Sequence, residues 1–179
     1  MIQDREIMLS VKEGNTHELG LLFDRHARGL FNYFRFQVRD RHKSEDLVQN
    51  VFYKILKYRH TFKDGADFKV WMYAIARNEK IDHFKKERPQ DQALDPDLSD
   101  EWSQSPEKKL EEKAEKKLLD EALERVSPDN RELIVLSKFT ALPYRQIAEL
   151  YGCTVGAIKV RIYRAIKELK AQYSIVSGE

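Results

Sequence analysis

YRQIAELYGCTVGAIKVRIYR, residues 144–164, reads as two short helices folded back on each other at Gly152. Ala148 is small where two helices must cross closely, and Gly152, four residues on, can take the positive φ of a tight turn. Ile158 plugs the gap between the helices, and Thr154 is a good N-cap for the second one. In that second helix Val155, Ile158, Ile162, Ala165, Ile166 and Leu169 project to one side at about 100° per residue. Lys159, Val160, Tyr163, Arg164 and Lys167 are left on the other. Such a face suits a DNA major groove, because long cations meet phosphates or guanine edges while Val160 or Tyr163 meets thymine methyls. The plain alternative is a helical pair with a solvated basic face. Against it, residues 144–170 hold six Lys/Arg and only two Glu.

Working outward, a helix is expected from about residue 107 to Val126, and Ser127-Pro128-Asp129 starts the next with an N-cap and a proline in the first turn. Leu133, Ile134, Leu136 and Phe139 give it a core face. Upstream, residues 89–106, PQDQALDPDLSDEWSQSP, hold three of the chain's five prolines, five acids, and no Lys or Arg. That composition reads as a linker. Fully extended at roughly 3.3 Å per residue, it reaches about 60 Å, so the flanking parts could sit far apart on a long ligand. Residues 1–88 carry 18 Lys/Arg against 13 Asp/Glu, and residues 107–179 carry 14 against 12. Two basic ends joined by an acidic stretch suggest separate contacts with a polyanion.

Before the linker, apolar residues recur at helical spacing over about 4–13, 16–40, 44–59 and 67–87. In the third stretch Leu47, Val48, Val51, Phe52, Ile55 and Leu56 cover one face, and Asp46, Gln49, Asn50, Tyr53 and Lys57 fall on the other. As pattern alone, that polar side is a solvated helix face. Residues 62–78, FKDGADFKVWMYAIARN, are a short loop feeding a helix with a basic far end: Arg77, Lys80, Lys85, Lys86 and Arg88. Aromatics beside cations suit single-stranded nucleic acid, where bases stack on rings. By spacing, however, Phe68 and Trp71 read as core anchors, and Asn78 reads equally as a buried structural amide or a base reader.

Together these observations predict an all-α chain, two small helical domains joined by a flexible acidic linker. The boundaries expected are 1–88, 89–112 and 113–175. One cysteine, Cys153, excludes an internal disulfide and a multi-thiolate zinc site, which fits a reducing cytosol. No stretch approaches the roughly 20 apolar residues of a membrane span, so a soluble cytoplasmic protein without membrane insertion is expected. His17, His26, His42, His60 and His83 show no metal spacing, and no phosphate-cradling glycine motif occurs. Asp82-His83 alone resembles a hydrolase dyad and reads as a surface pair. Neither an enzyme nor a cofactor is expected.

In this order and spacing the pieces resemble sigma factors of the extracytoplasmic-function type over about residues 5–172. The resemblance is carried by SEDLVQNVF (44–52), FKVWMYAIARNEKID (68–82), YRQIA (144–148) and VGAIKVRIYRA (155–165). It implies that Asp46, Leu47, Gln49, Asn50 and Tyr53 dock on the clamp helices of the RNA polymerase β′ subunit. Phe62, Lys63, Asp64, Gly65 and Asn78 would capture an unpaired base of the minus-ten element, with Arg77, Lys80 and Lys85 on the strand's phosphates. Flipping a base costs a few kcal/mol, which a pocket for the extruded base can offset. Arg145, Thr154, Lys159, Val160, Arg161, Tyr163, Arg164 and Lys167 would face the minus-35 element as duplex, and their domain would lean on the β flap.

The chain departs from the family pattern at Asn50, where an acid is usual, at Ala141 and Pro143, which replace Gly and Ser, and at Val160, which replaces a common serine. No long extension follows Glu179, so control by a separate anti-sigma factor is expected. The alternative is a free-standing helix-turn-helix regulator, which would bind an operator tightly without polymerase.

Overall fold

Residues 3–86 and 108–178 are described by this computed structural model, and they form helices and turns with no strand among them. The expected linker, 89–112, falls mostly outside the described residues. Helix α5, numbered by its order in the chain (Lys108–Arg125), starts inside that span.

The first unit contains α1 (Asp4–Glu13), α2 (Leu19–Val38), α3 (Arg41–Lys57) and α4 (Phe68–Lys86). Local chemistry explains where they stop and start. Gly14, at φ +119°, closes α1, because its missing Cβ permits the left-handed turn. Arg39 takes a left-handed conformation at the end of α2, and Asp40 immediately caps α3 by accepting the Lys43 N–H at 2.9 Å. Asp67 starts α4, its Oδ1 accepting the N–H groups of Lys69 and Val70 at 2.9 and 3.3 Å. Ile7, Met8 and Val11 of α1, Leu30 and Phe34 of α2, Val51 and Ile55 of α3, and Met72 and Ala76 of α4 are buried together.

The second unit is α5, α6 (Pro128–Ile134), a π-turn (Val135–Phe139), α7 (Tyr144–Leu150) and α8 (Val155–Ser177). Ser127 stands at the N-cap position of α6 but makes no cap. Its hydroxyl and N–H instead reach Glu168 of α8, at 3.1 and 2.8 Å, and Asn130 donates to the same carboxylate. The helix pair α7–α8 follows its expected mechanics: Ala148 and Ile158 are buried, Gly152 sits at φ +60°, and Thr154 Oγ1 accepts the Ala157 N–H at 3.2 Å. Ala141 occupies φ +52°, a left-handed conformation that costs a residue with a Cβ about 1–2 kcal/mol. The chain bears that cost at the turn into α7, where Leu142 is buried and donates its N–H to Leu136 O at 3.0 Å. Pro143 then precedes α7 without a side-chain cap.

Although the sequence permits wide separation, the two units touch. Helices α2 and α4 pack on α6, the π-turn and α7, and one apolar core runs through both units. The Phe36 and Phe139 rings meet at 4.2 Å, and Arg39 pairs with Glu124.

Candidate nucleic-acid interface

Helix α8 presents the row read from its periodicity. Ile158, Ile162 and Ala165 are buried, while Lys159, Val160, Tyr163, Arg164 and Lys167 are exposed, Tyr163 at 71% and Val160 at 50%. Arg145 at the start of α7 and Thr154 are exposed beside them. Arg161 is placed differently from these residues. It is half-buried, and its guanidinium lies over the Tyr151 ring at 4.9 Å, so it supports the helix pair rather than standing in the outward row.

The loop between α3 and α4 divides the residues expected to meet a flipped base. Lys63, Asp64 and Gly65 are exposed, with Gly65 at φ +85° and the Ala66 N–H returning to Lys63 O at 3.0 Å. Phe62 is 1% exposed, its ring 5.2 Å from Trp71 and 6.4 Å from Phe68. A side chain so enclosed cannot stack on a base in this conformation. In this arrangement Phe62 anchors the loop. Asn78 is exposed and not a buried amide, and Lys85 is exposed further along α4.

Arg77 and Lys80 are turned toward the second unit. Both reach Glu132 Oε1, at 3.1 and 2.9 Å, and Tyr33 donates to the same oxygen at 2.5 Å. Tyr151 donates to Oε2 at 2.9 Å, and Arg77 also covers the Tyr151 ring at 4.1 Å. Glu132 is 2% exposed. Burial alone would raise its pKa, but Lys80, Tyr33 and Arg77 outweigh this and hold the carboxyl below the ordinary glutamate value. Burial first, and then the Glu132 charge, pushes the Tyr33 and Tyr151 hydroxyls up, so both stay protonated donors. Arg77 and Lys80 are therefore paired with Glu132 within the fold in this arrangement. Gln146 of α7 also donates to Asp67 Oδ2 at 2.6 Å.

Of these seam residues Glu132, Tyr33, Tyr151 and Gln146 were not singled out from the sequence. A signal existed: Glu132 shares a helix face with Leu136, four residues on, so an acid sat on the core side of a helix and required partners.

The outer face of α3 exposes Asp46, Gln49, Asn50 and Tyr53, the last at 63%. A groove runs from it to α4, where Lys54 pairs with Glu79 and approaches Asp82 at 3.8 Å. Leu47 is buried in the core beneath this face and lines the groove. Asp82 is exposed and engaged by Lys54. Among the described residues no cluster of His, Cys, Asp or Glu could hold a metal, and no helix is long and apolar enough to cross a membrane.

Residues 22–90 match the family described as Sigma-70 region 2, and residues 116–169 match Sigma-70, region 4. The chain is 31% identical over 150 residues to the RNA polymerase sigma factor CarQ of Myxococcus xanthus, covering 83% of this chain and 85% of that protein. It is 30% identical over 167 residues to the ECF RNA polymerase sigma factor BldN of Streptomyces coelicolor, covering 92% of this chain and spanning 63% of that relative's length. Its fold resembles CnrH, solved in complex with the cytosolic domain of CnrY, at a TM-score of 0.72 and 23% identity, over 94% of this chain and 95% of that one. It also resembles the sigma factor RpoE of Bartonella quintana, solved with the anti-sigma factor NepR, at 0.67 and 24%, over 87% and 96%. The two matched segments fall, in the same order, in the first unit from within α2 onward and in the second unit. With a relative of that identity covered over most of its length, they show that this chain belongs to the sigma-70 family as an RNA polymerase sigma factor of the extracytoplasmic-function type.

Proposed function

We propose that this chain docks on core RNA polymerase through the outer face of α3, reads a minus-35 duplex with α8, and captures an unpaired minus-ten base with the loop 63–67 and Asn78. Residues 1–88 would form the minus-ten and core-binding unit, and the residues from α5 onward the minus-35 unit. The former would sit on the β′ clamp helices and the latter on the β flap. The chain would supply binding energy and no bond chemistry of its own.

What carries this reading is the α8 surface: three exposed cations interleaved with exposed Val160 and Tyr163 on a helix whose opposite side is buried. Such a row can enter a major groove without rearrangement. The minus-ten side differs, since Arg77 and Lys80 are held by Glu132. To use them on phosphates the two units must part, and the polymerase surface would supply the competing contacts. A separate anti-sigma factor is the expected antagonist, by analogy with the sigma factor RpoE solved beside the anti-sigma factor NepR.

Run-off transcription with purified core polymerase and a library of promoter variants tests the proposal. Initiation at a defined set of minus-ten and minus-35 sequences is expected. A chain that directs core polymerase to no start site, or binds an operator equally well without it, would sink the reading.

A further inference from the structure

The loop 62–67 is held from outside its own hairpin. Lys12, near the end of α1, donates from Nζ to the Phe62 carbonyl at 2.7 Å and reaches Asp64 Oδ1 at 3.3 Å. The ammonium thus joins a buried anchor to the exposed tip, since Phe62 is buried and Asp64 is exposed. Its own position is fixed. Ile7, Met8 and Val11 sink α1 into the core, and Asp4 at the other end of the helix accepts from Arg25 at 2.9 Å and pairs with His26 at 2.7 Å. His26 in turn lies 5.4 Å from the Phe68 ring, at the head of α4.

We infer that Lys12 is a positioning residue for minus-ten base selection: it braces the capture loop in its base-receiving shape before DNA arrives. The inference rests on the role proposed above for the loop and extends the reading apparatus to α1, which lies outside the segment matching region 2. Three fixed points then define the loop. The Phe62 ring is seated against Trp71, the Phe62 carbonyl and Asp64 are tied to Lys12, and Asp67 is locked as the cap of α4. Between them Gly65 makes the left-handed turn that a Cβ would strain. Lys12 is the only one of these holds that ties the exposed tip to a different helix. A site that must discriminate among flipped bases depends on such support, because a misplacement of about 1 Å can cost on the order of a hundredfold.

The test compares the full-length wild type with Lys12→Met, which keeps the aliphatic stem, and Lys12→Arg, which restores a cation. Hydrogen exchange of the free chain is read at residues 62–67. Lys12→Met should exchange faster there and unchanged in α2 and α8, and Lys12→Arg should recover protection. With core polymerase, Lys12→Met should lower permanganate reactivity at the start site by about tenfold and flatten the preference among bases at the flipped position. Duplex minus-35 binding should stay at the wild-type value. Unchanged loop exchange, or an unchanged base preference in an initiating holoenzyme, overturns the inference, and so does a loss confined to thermal stability. Failure of the wild type itself to initiate would instead refute the sigma-factor role, while the exchange measurement still decides whether Lys12 braces the loop.

Discussion

Replacing Glu132 by Gln tests the seam most directly. The amide keeps the shape and part of the hydrogen bonding but leaves Arg77 and Lys80 facing each other without a counter-charge. Breaking a buried ionic set by removing one partner costs about 3–5 kcal/mol. The side chains of Arg77 and Lys80 retain 28% and 14% exposure, so water recovers part of that. The lower end, about 3 kcal/mol, is the expected loss, roughly a hundredfold in the closed-to-open ratio. Energy transfer between dyes on Lys57→Cys and Lys170→Cys, in a Cys153→Ser background, reads the separation. Wild type should show one short-distance population and Glu132→Gln a second, longer one, with tighter binding of a minus-ten single strand by the free chain. Because the carboxyl titrates below its ordinary value of 4.5, its contribution is complete above that value and is lost as pH falls through the lowered one. Closure should therefore be indifferent to pH near neutrality and fail only in acid. Identical distance distributions and unfolding midpoints in wild type and Glu132→Gln would refute the reasoning.

Asp46→Ala combined with Gln49→Ala should abolish co-purification with core polymerase while leaving the unfolding midpoint nearly unchanged, since both side chains are exposed. Arg164→Ala should cost about 1–3 kcal/mol in minus-35 binding with discrimination lost at one base position, measured across a set of duplex variants; a uniform loss would mean a phosphate contact instead. Phe62→Ala removes a fully enclosed ring and should lower stability by about 3–5 kcal/mol in a denaturant titration, whereas a surface base-stacking residue would leave the midpoint in place.

Much of the fold was readable because its signals are local. The stripe Ile158, Ile162, Ala165, the Thr154 cap and the Gly152 turn each depend on neighbours within a few residues, and all three appear in the structure. The exposed α8 row followed from the same period. What escaped reading depends on contacts across long sequence distances. Lys12 and Phe62 lie in different elements, Tyr33 finds Glu132 in the other unit, and Gln146 reaches back to Asp67. Arg77, Lys80 and Arg161 look like free cations on any helical projection, and only the fold shows them held by a carboxylate or an aromatic face. Ser127 fails as a cap for the same reason: Glu168, far along the chain, competes for its hydroxyl. The burial of Phe62 likewise depends on the fold, which brings its ring against Trp71 of the following helix.

The Glu132 carboxylate belongs to one unit, while three of its four partners, Tyr33, Arg77 and Lys80, come from the other. Interchange of promoter-reading heads among relatives is constrained accordingly. A hybrid spliced within the acidic stretch would inherit the incoming helix pair's sequence preference, yet it would leave two cations and a phenol ungreeted unless the donor also brought an acid to this spot. Evolution can retune α8 freely, but it can exchange the whole module only together with that one side chain.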